Sequence, residues 1–169
     1  MFGSRSRYLI EKTQTILRGI LQRVCFILLL AIVINVIAAV FARYVLFYPL
    51  NFADQLTKYL LIWLAFLGSS LAMDEGAHVA VDILSKKLSS TFLKVVSVLV
   101  SVVIGLFLIL LVYYGFIFVL KSSVFSDPLV FGLSMSYPYL SVPVGALIML
   151  FQLSLITAAR FKAQPSKFD

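Results

Sequence analysis

Four long apolar runs, at 24–42, 56–73, 92–120 and 139–159, are separated by short stretches that hold nearly all of the chain's charge. A helix that crosses a bilayer needs about 20 predominantly apolar residues, so each run predicts one transmembrane helix. The runs lack the period-two alternation of barrel strands, and an open strand would leave backbone groups unpaired in hydrocarbon. The predicted fold is therefore all-α: an integral membrane bundle of four transmembrane helices, one domain over residues 1–169. The third run exceeds a single crossing, which predicts tilt or a first turn, with Lys94, that emerges at the interface.

Ahead of the first run, residues 4–23 have a different pattern. On a helical wheel Leu9, Ile16, Leu17, Ile20, Leu21 and Val24 share one face while Arg7, Glu11, Arg18 and Gln22 share the other. That pattern predicts an interfacial amphipathic helix, lying on the inner leaflet before the chain turns into the membrane. The competing reading is a plain continuation of the first span with a solvated basic end. Val40-Phe41-Ala42 resembles a signal-peptide cleavage site, but the apolar stretch before it is longer than the roughly 7 to 15 residues of such a segment, and the expectation is an uncleaved helix.

Composition agrees with the pattern. Hydrophobic residues form 62% of the chain and charged residues 12%, against about 45–50% and about 25% in soluble domains. The net charge of +7 would suit a nucleic-acid partner only if the basic residues lined one polar face, and they flank apolar spans instead. Their distribution fixes an orientation. One side of the predicted bundle carries Arg5, Arg7, Lys12, Arg18, Arg23, Lys86, Lys87, Lys94, Arg160, Lys162 and Lys167, and the other only Arg43, Lys58 and Lys121. Positive residues stay cytoplasmic, so both termini are expected inside and the segments 43–55 and 121–138 outside.

The chain offers little for catalysis. It has no Gly-rich phosphate loop and no nucleophile accompanied by a base. Cys25 and His78 are each the single residue of their type, which removes an internal disulfide, a Cys cluster for zinc and bis-histidine haem ligation. His78 is read as a loop histidine one turn from Asp82. No ionisable residue occupies the middle of a span, where such groups mark ion and substrate paths. Asn35 is the strongest polar group near mid-membrane, and a helix-to-helix hydrogen bond is its expected role. The expectation is no enzyme, no catalytic, substrate-binding or metal site, and no cofactor.

Association is a better use for the polar detail between Asn51 and Leu84. Asp54 and Lys58 precede the second span and Asp74, Glu75, His78 and Asp82 follow it, with Trp63 well inside. Ala65 with Ser69, and Gly68 with Ala72, are small pairs four apart that let another backbone approach closely. Gly105 and Gly115 do this less densely on the third span. The sequence leaves open whether these surfaces meet the chain's own helices or a partner.

Several stretches resemble the small membrane subunit of tripartite ATP-independent periplasmic (TRAP) transporters. They are Arg43-Tyr44-Val45, Pro49, the run Asp54 to Trp63, Phe66-Leu67-Gly68, the run Gly76 to Leu84 and, more weakly, Tyr139 to Gly145. Where that family usually has an acidic pair and a following Arg, this chain has Asp54, Gln55 and Lys58. The resemblance implies a non-catalytic scaffold in the bacterial inner membrane. Its partners would be a much larger membrane subunit that moves substrate with sodium, a periplasmic substrate-binding protein, and membrane lipids. The transported compound would be an organic acid of the C4-dicarboxylate or sialic acid type. A self-sufficient four-helix carrier or channel, acting as a homo-oligomer, is the rival reading.

On this footing Arg43, Asp54 and Lys58 are expected to form a polar cluster at the outer surface, with interfacial charge that snorkels into water as the alternative. His78, Asp82, Lys86 and Lys87 are expected to begin a cytoplasmic surface helix after Gly76. Trp63 and Gly68 complete the expected partner-facing or structural set. The segment 122–138 is too apolar for a solvated loop: it is expected to dip into the interface, cover a partner, or fold as a hairpin on its own bundle.

Overall fold

In a computed structural model, the structure describes the backbone of residues 2–85 and 90–162 and, of the side chains, 12–73, 95–96 and 98–157. Four long helices carry the chain: α1 (Phe2–Tyr44), α2 (Asn51–Ser85), α3 (Ser90–Ser122) and α5 (Ser141–Lys162). Among the described residues the stretches Lys12–Tyr44, Asn51–Met73, Val98–Ser122 and, taking in the short helix ahead of α5, Ser136–Thr157 are long and apolar enough to cross a membrane. Between α3 and α5 lie a two-residue strand β1 (Ser126–Asp127), a 3₁₀ turn (Pro128–Val130), β2 (Leu133–Ser134) and a one-turn helix α4 (Ser136–Tyr139).

The helices pack in the order α1, α2, α5, α3, with α5 in the middle and α2 and α3 hardly touching. Residue spacing explains each seam. On α1 the buried and half-buried positions include Leu21, Cys25, Leu28, Ile32, Asn35, Ala39 and Ala42, steps of four and three that keep one stripe turned toward α2. Among the described residues most other positions of α1 from Phe26 onward are open, with Phe26 at 66% and Ile27 at 64% exposure, as expected for side chains that meet lipid. α3 repeats the rule through Ile104, Leu108, Leu111, Gly115 and Val119. Leu108, Ala146 and Met149 form the core, with Phe66, Ile104, Leu111 and Leu153 packed around them.

Two glycines set the distances to α5. A Cβ at Gly145 would stand 2.6 Å from Phe66 Cβ, and one at Gly115 would stand 3.1 Å from Pro143 Cδ. Only a hydrogen fits at Gly145, so α2 and α5 approach more closely there than any larger residue permits. Below this contact Ser70 Oγ donates to Gln152 Oε1 at 2.6 Å, joining the same two helices through groups that are both buried. On the neighbouring seam Asn35 Nδ2 donates to Ala53 O and to Thr57 Oγ1, each at 2.8 Å. The interhelical role expected of Asn35 is thus what the geometry shows.

Some expected boundaries move. Residues 4–23 and 24–42 belong to one unbroken helix of 43 residues, so the expected turn between an interfacial helix and the first span is absent. Nothing in the sequence breaks it: no proline occurs before Pro49, and Gly19 alone does not end a helix. At about 1.5 Å per residue the rod is roughly twice as long as a bilayer core is thick. Likewise α2 begins at Asn51, five residues before the expected span, and continues through Gly76 to Ser85, so no separate helix starts after that glycine. α3 ends at Ser122, two residues later than expected, and the last membrane-length stretch begins with α4 at Ser136, three residues before the expected start at 139. Lys86 and Lys87 lie outside the described residues, as do the side chains of His78 and Asp82.

Candidate functional site: the hairpin end of the bundle and the open face of α2

The segment between α3 and α4 folds back on its own bundle. β1 and β2 pair antiparallel, Ser126 with Ser134 and Asp127 with Leu133, and Phe131 and Gly132 turn the chain at φ 54° and φ 73°. Asp127 caps the 3₁₀ turn: its Oδ1 accepts from Leu129 N–H at 2.9 Å, and Pro128 follows at a position where no N–H is needed. The other carboxylate oxygen accepts from the Tyr59 hydroxyl of α2. Val130 is buried beside this link, and the Phe131 ring meets Phe52 of α2 at 5.5 Å between centroids. Of the three fates expected for 122–138, packing on the chain's own bundle is the one observed, although Phe131, Val124 and Phe125 stay open.

Asp127 organises this end electrostatically. The Tyr59 hydroxyl holds its carboxyl below the ordinary carboxylate range, with help from Leu129 N–H, Gln55 and the charge of Lys58, and against the opposite pull of burial. Gln55 Nε2 donates to Tyr59 Oη at 3.2 Å, and Lys58 Nζ donates to Gln55 Oε1 at 3.4 Å. A chain of polar contacts therefore runs from Lys58 through Gln55 and Tyr59 to Asp127. Asp127 is not among the residues singled out from the sequence, although the sequence carries a signal for it. An Asp-Pro pair in an otherwise apolar segment marks a capped turn, and a lone acid there needs a partner.

Of the residues singled out in the sequence, Arg43 and Asp54 come together: Arg43 Nη2 stands 3.5 Å from Asp54 Oδ2, joining the end of α1 to the first turn of α2. Both side chains are more than half exposed, which limits such a pair to about 0–1 kcal/mol. Lys58 reaches Gln55 and not Asp54, so the three do not form one cluster. Trp63 is half-buried and Gly68 likewise.

Among the described residues, the exposed positions of α2 follow a single stripe: Asn51, Asp54, Lys58, Leu61, Ala65, Ser69 and Ala72. Steps of three and four place them on one face, polar at the hairpin end and small further along. Gly68 borders this face, and a Cβ there would meet nothing within 4 Å. The chain's own packing uses Gly145 and Gly115, with Ala53 and Ser70 of α2, and leaves Ala65, Ser69 and Ala72 exposed. Among the described residues no group of three or more His, Cys, Asp or Glu could hold a metal ion.

The family model for the DctQ component of tripartite ATP-independent periplasmic transporters matches residues 30–162, from the middle of α1 to the end of α5. The chain belongs to this family. It is a component of a transporter and not an enzyme, and its four membrane-length helices make it a multi-pass membrane protein. This DctQ component is 26% identical over 139 residues, 82% of its length, to the sialic acid TRAP transporter permease protein SiaT of Haemophilus influenzae strain 86-028NP. Over 68 residues, 40% of its length, it is 38% identical to a protein of Haemophilus influenzae strain KW20 / Rd named as a TRAP transporter small permease. The matches span 22% of the first relative and 42% of the second, so each relative extends well beyond the shared part.

Proposed function

We propose that this DctQ component is the fixed frame beside which a larger membrane subunit carries an organic acid across the bacterial inner membrane. The single observation that carries this reading is the open face of α2. Ala65, Ser69 and Ala72, with Gly68 at their edge, offer a surface on which another backbone can come close, and among the described residues no helix of this chain covers it. A moving domain needs a stationary support against which its displacement counts as transport. No charge lies at the middle of any span, which suits a support better than a carrier.

The finer assignments rest on the family and on its relatives. Sodium coupling, delivery by a periplasmic binding protein and a substrate of the C4-dicarboxylate or sialic acid type follow the family resemblance, and the similarity to SiaT favours the second substrate class. In SiaT the shared region is a minor part of one longer polypeptide, as expected if this component works next to a larger membrane partner. The distribution of basic residues supports a frame with both termini in the cytoplasm and the hairpin end, with Arg43, Asp54, Lys58 and Asp127, toward the periplasm. Arg43–Asp54 and the Lys58 to Asp127 chain hold that face in shape, His78 and Asp82 mark the cytoplasmic end of α2, and the exposed loops are the surface available to the binding protein.

Bulk added to the α2 face tests the frame. Ala65→Phe with Ser69→Phe is expected to leave the helical content and monodispersity of this chain unchanged while reducing the large subunit recovered with it at least tenfold. Full recovery of a large membrane protein with the double variant would remove the α2 face from the proposal. Uptake of organic acid by vesicles holding this chain alone would instead favour a self-sufficient carrier or channel. Arg43→Ala with Lys58→Ala is expected to weaken uptake, and unchanged uptake would reduce that pair to solvated interfacial charge.

A further inference from the structure

At the hairpin end an open groove of about 400 Å³ runs along α3 where α4 and α5 meet it. Its lining is Tyr114, Gly115, Phe118, Lys121, Tyr139 and Val142, with Ile117 beside them. Gly115 supplies a floor without a side chain, closed from beneath by Pro143. Phe118 and Tyr139 stand edge to face at 4.7 Å and make one wall. Tyr114, Phe118 and Lys121 follow each other at steps of four and three, so they share one face of α3 and the groove runs along the helix. Lys121 lies at its upper end, one residue before the end of α3. It is exposed, and among the described residues it has no carboxylate within ion-pair distance.

The level of the groove in the membrane is fixed by other residues. Seven of the chain's eight tyrosines, Tyr44, Tyr48, Tyr59, Tyr113, Tyr114, Tyr137 and Tyr139, lie at this end or within about three turns of it. Tyrosine collects at the boundary between hydrocarbon and headgroups, so the groove begins at the headgroups and descends among the acyl chains. A cation with no carboxylate in ion-pair distance among the described residues, over an aromatic, apolar channel at that depth, complements an anion attached to a hydrocarbon tail. Free phosphate matches only the lysine, and a partner's apolar helix matches only the channel. We infer that this groove binds one anionic phospholipid, with Lys121 on the headgroup phosphate and an acyl chain along Gly115 between Tyr114 and Phe118.

Photo-crosslinking of the full chain in its own membrane tests this. With Tyr114→p-benzoylphenylalanine, irradiation is expected to yield phospholipid adducts enriched about fivefold in anionic species over their share of the membrane, the bias one interfacial lysine supports. Lys121→Gln is expected to return the adducts to the membrane's composition, and Lys121→Arg to keep the enrichment. Placing the photoreactive residue at Phe118 gives a second position if the first does not accumulate. Adducts in proportion to membrane composition, enrichment that survives Lys121→Gln, or capture of protein in place of lipid would each overturn the assignment.

Discussion

Asp127 is the residue on which the hairpin end turns, because its two carboxylate oxygens serve different elements: one caps the 3₁₀ turn and the other accepts from Tyr59 on α2. Removing either partner is expected to free the hairpin without unfolding the bundle. In Asp127→Asn or Tyr59→Phe, hydrogen exchange at the amides of 123–135 should rise several-fold while that of α5 stays constant; unchanged protection would show that Val130 and Phe131 hold the hairpin unaided. The pH dependence has a definite sign. The carboxyl of Asp127 is held below its ordinary value in the folded chain. Its contribution is therefore complete above the ordinary carboxylate pKa and is lost as pH falls through the lower, folded value. Wild-type hairpin protection should thus fall only in strong acid, and Asp127→Asn should show no such step. Of this arrangement the sequence made Arg43, Asp54 and Lys58 visible as charges beside a span. It could not show that Lys58 turns to Gln55, because both acceptors lie within reach on one helix and the choice depends on where Arg43 arrives from α1.

At the scale of elements, the small residues divide into two groups that sequence spacing does not separate. Gly145 is pressed against Phe66 and Gly115 against Pro143, whereas Gly68 faces open space. Gly145→Ala is expected to cost about 1–3 kcal/mol, because the α2–α5 seam must widen to admit a methyl group. Gly68→Ala in the isolated chain should be neutral or stabilising by about 0.5–1 kcal/mol, from helix propensity alone. Thermal unfolding of the two purified variants in one detergent compares them directly, and an equal loss in both would contradict the assignment of Gly68 to an open face. The α1–α2 seam was more legible. Asn35 sits in a heptad-spaced stripe and is the strongest polar group of its span, so a partner on a neighbouring helix was the economical expectation. Ala53 and Thr57 supply it. The continuity of α1 was less so, since an amphipathic pattern on 4–23 fits an interfacial helix and the end of a long one equally well.

For the whole molecule, the order α1, α2, α5, α3 places the last helix in the middle and leaves α1 and α3 at the edges. That arrangement exposes one face of α2 and most of α3, which a lone soluble domain would bury and a membrane component can leave to lipid or a partner. Orientation is the property of the whole that the charges alone predict. In a Cys25→Ser background, cysteine at Ser126 should react with an impermeant maleimide in intact spheroplasts, and cysteine at Ser166 only after lysis. The reverse pattern would invert the assignment of the hairpin end to the periplasm.

By itself the sequence determined the class, the number of crossings and the family resemblance. Those properties depend on apolar runs of bilayer length and on local residue order, which need no knowledge of which helix lies beside which. Only the tertiary structure decided that the glycines of α3 and α5 are spent inside while the small face of α2 stays open. The same is true of the pairing of Tyr59 with Asp127, 68 positions apart, and of the meeting of Lys121 with Tyr139 across one groove. Each of these depends on how far two helices approach and how they are rotated about their axes, and both quantities follow from the fit of many side chains at once.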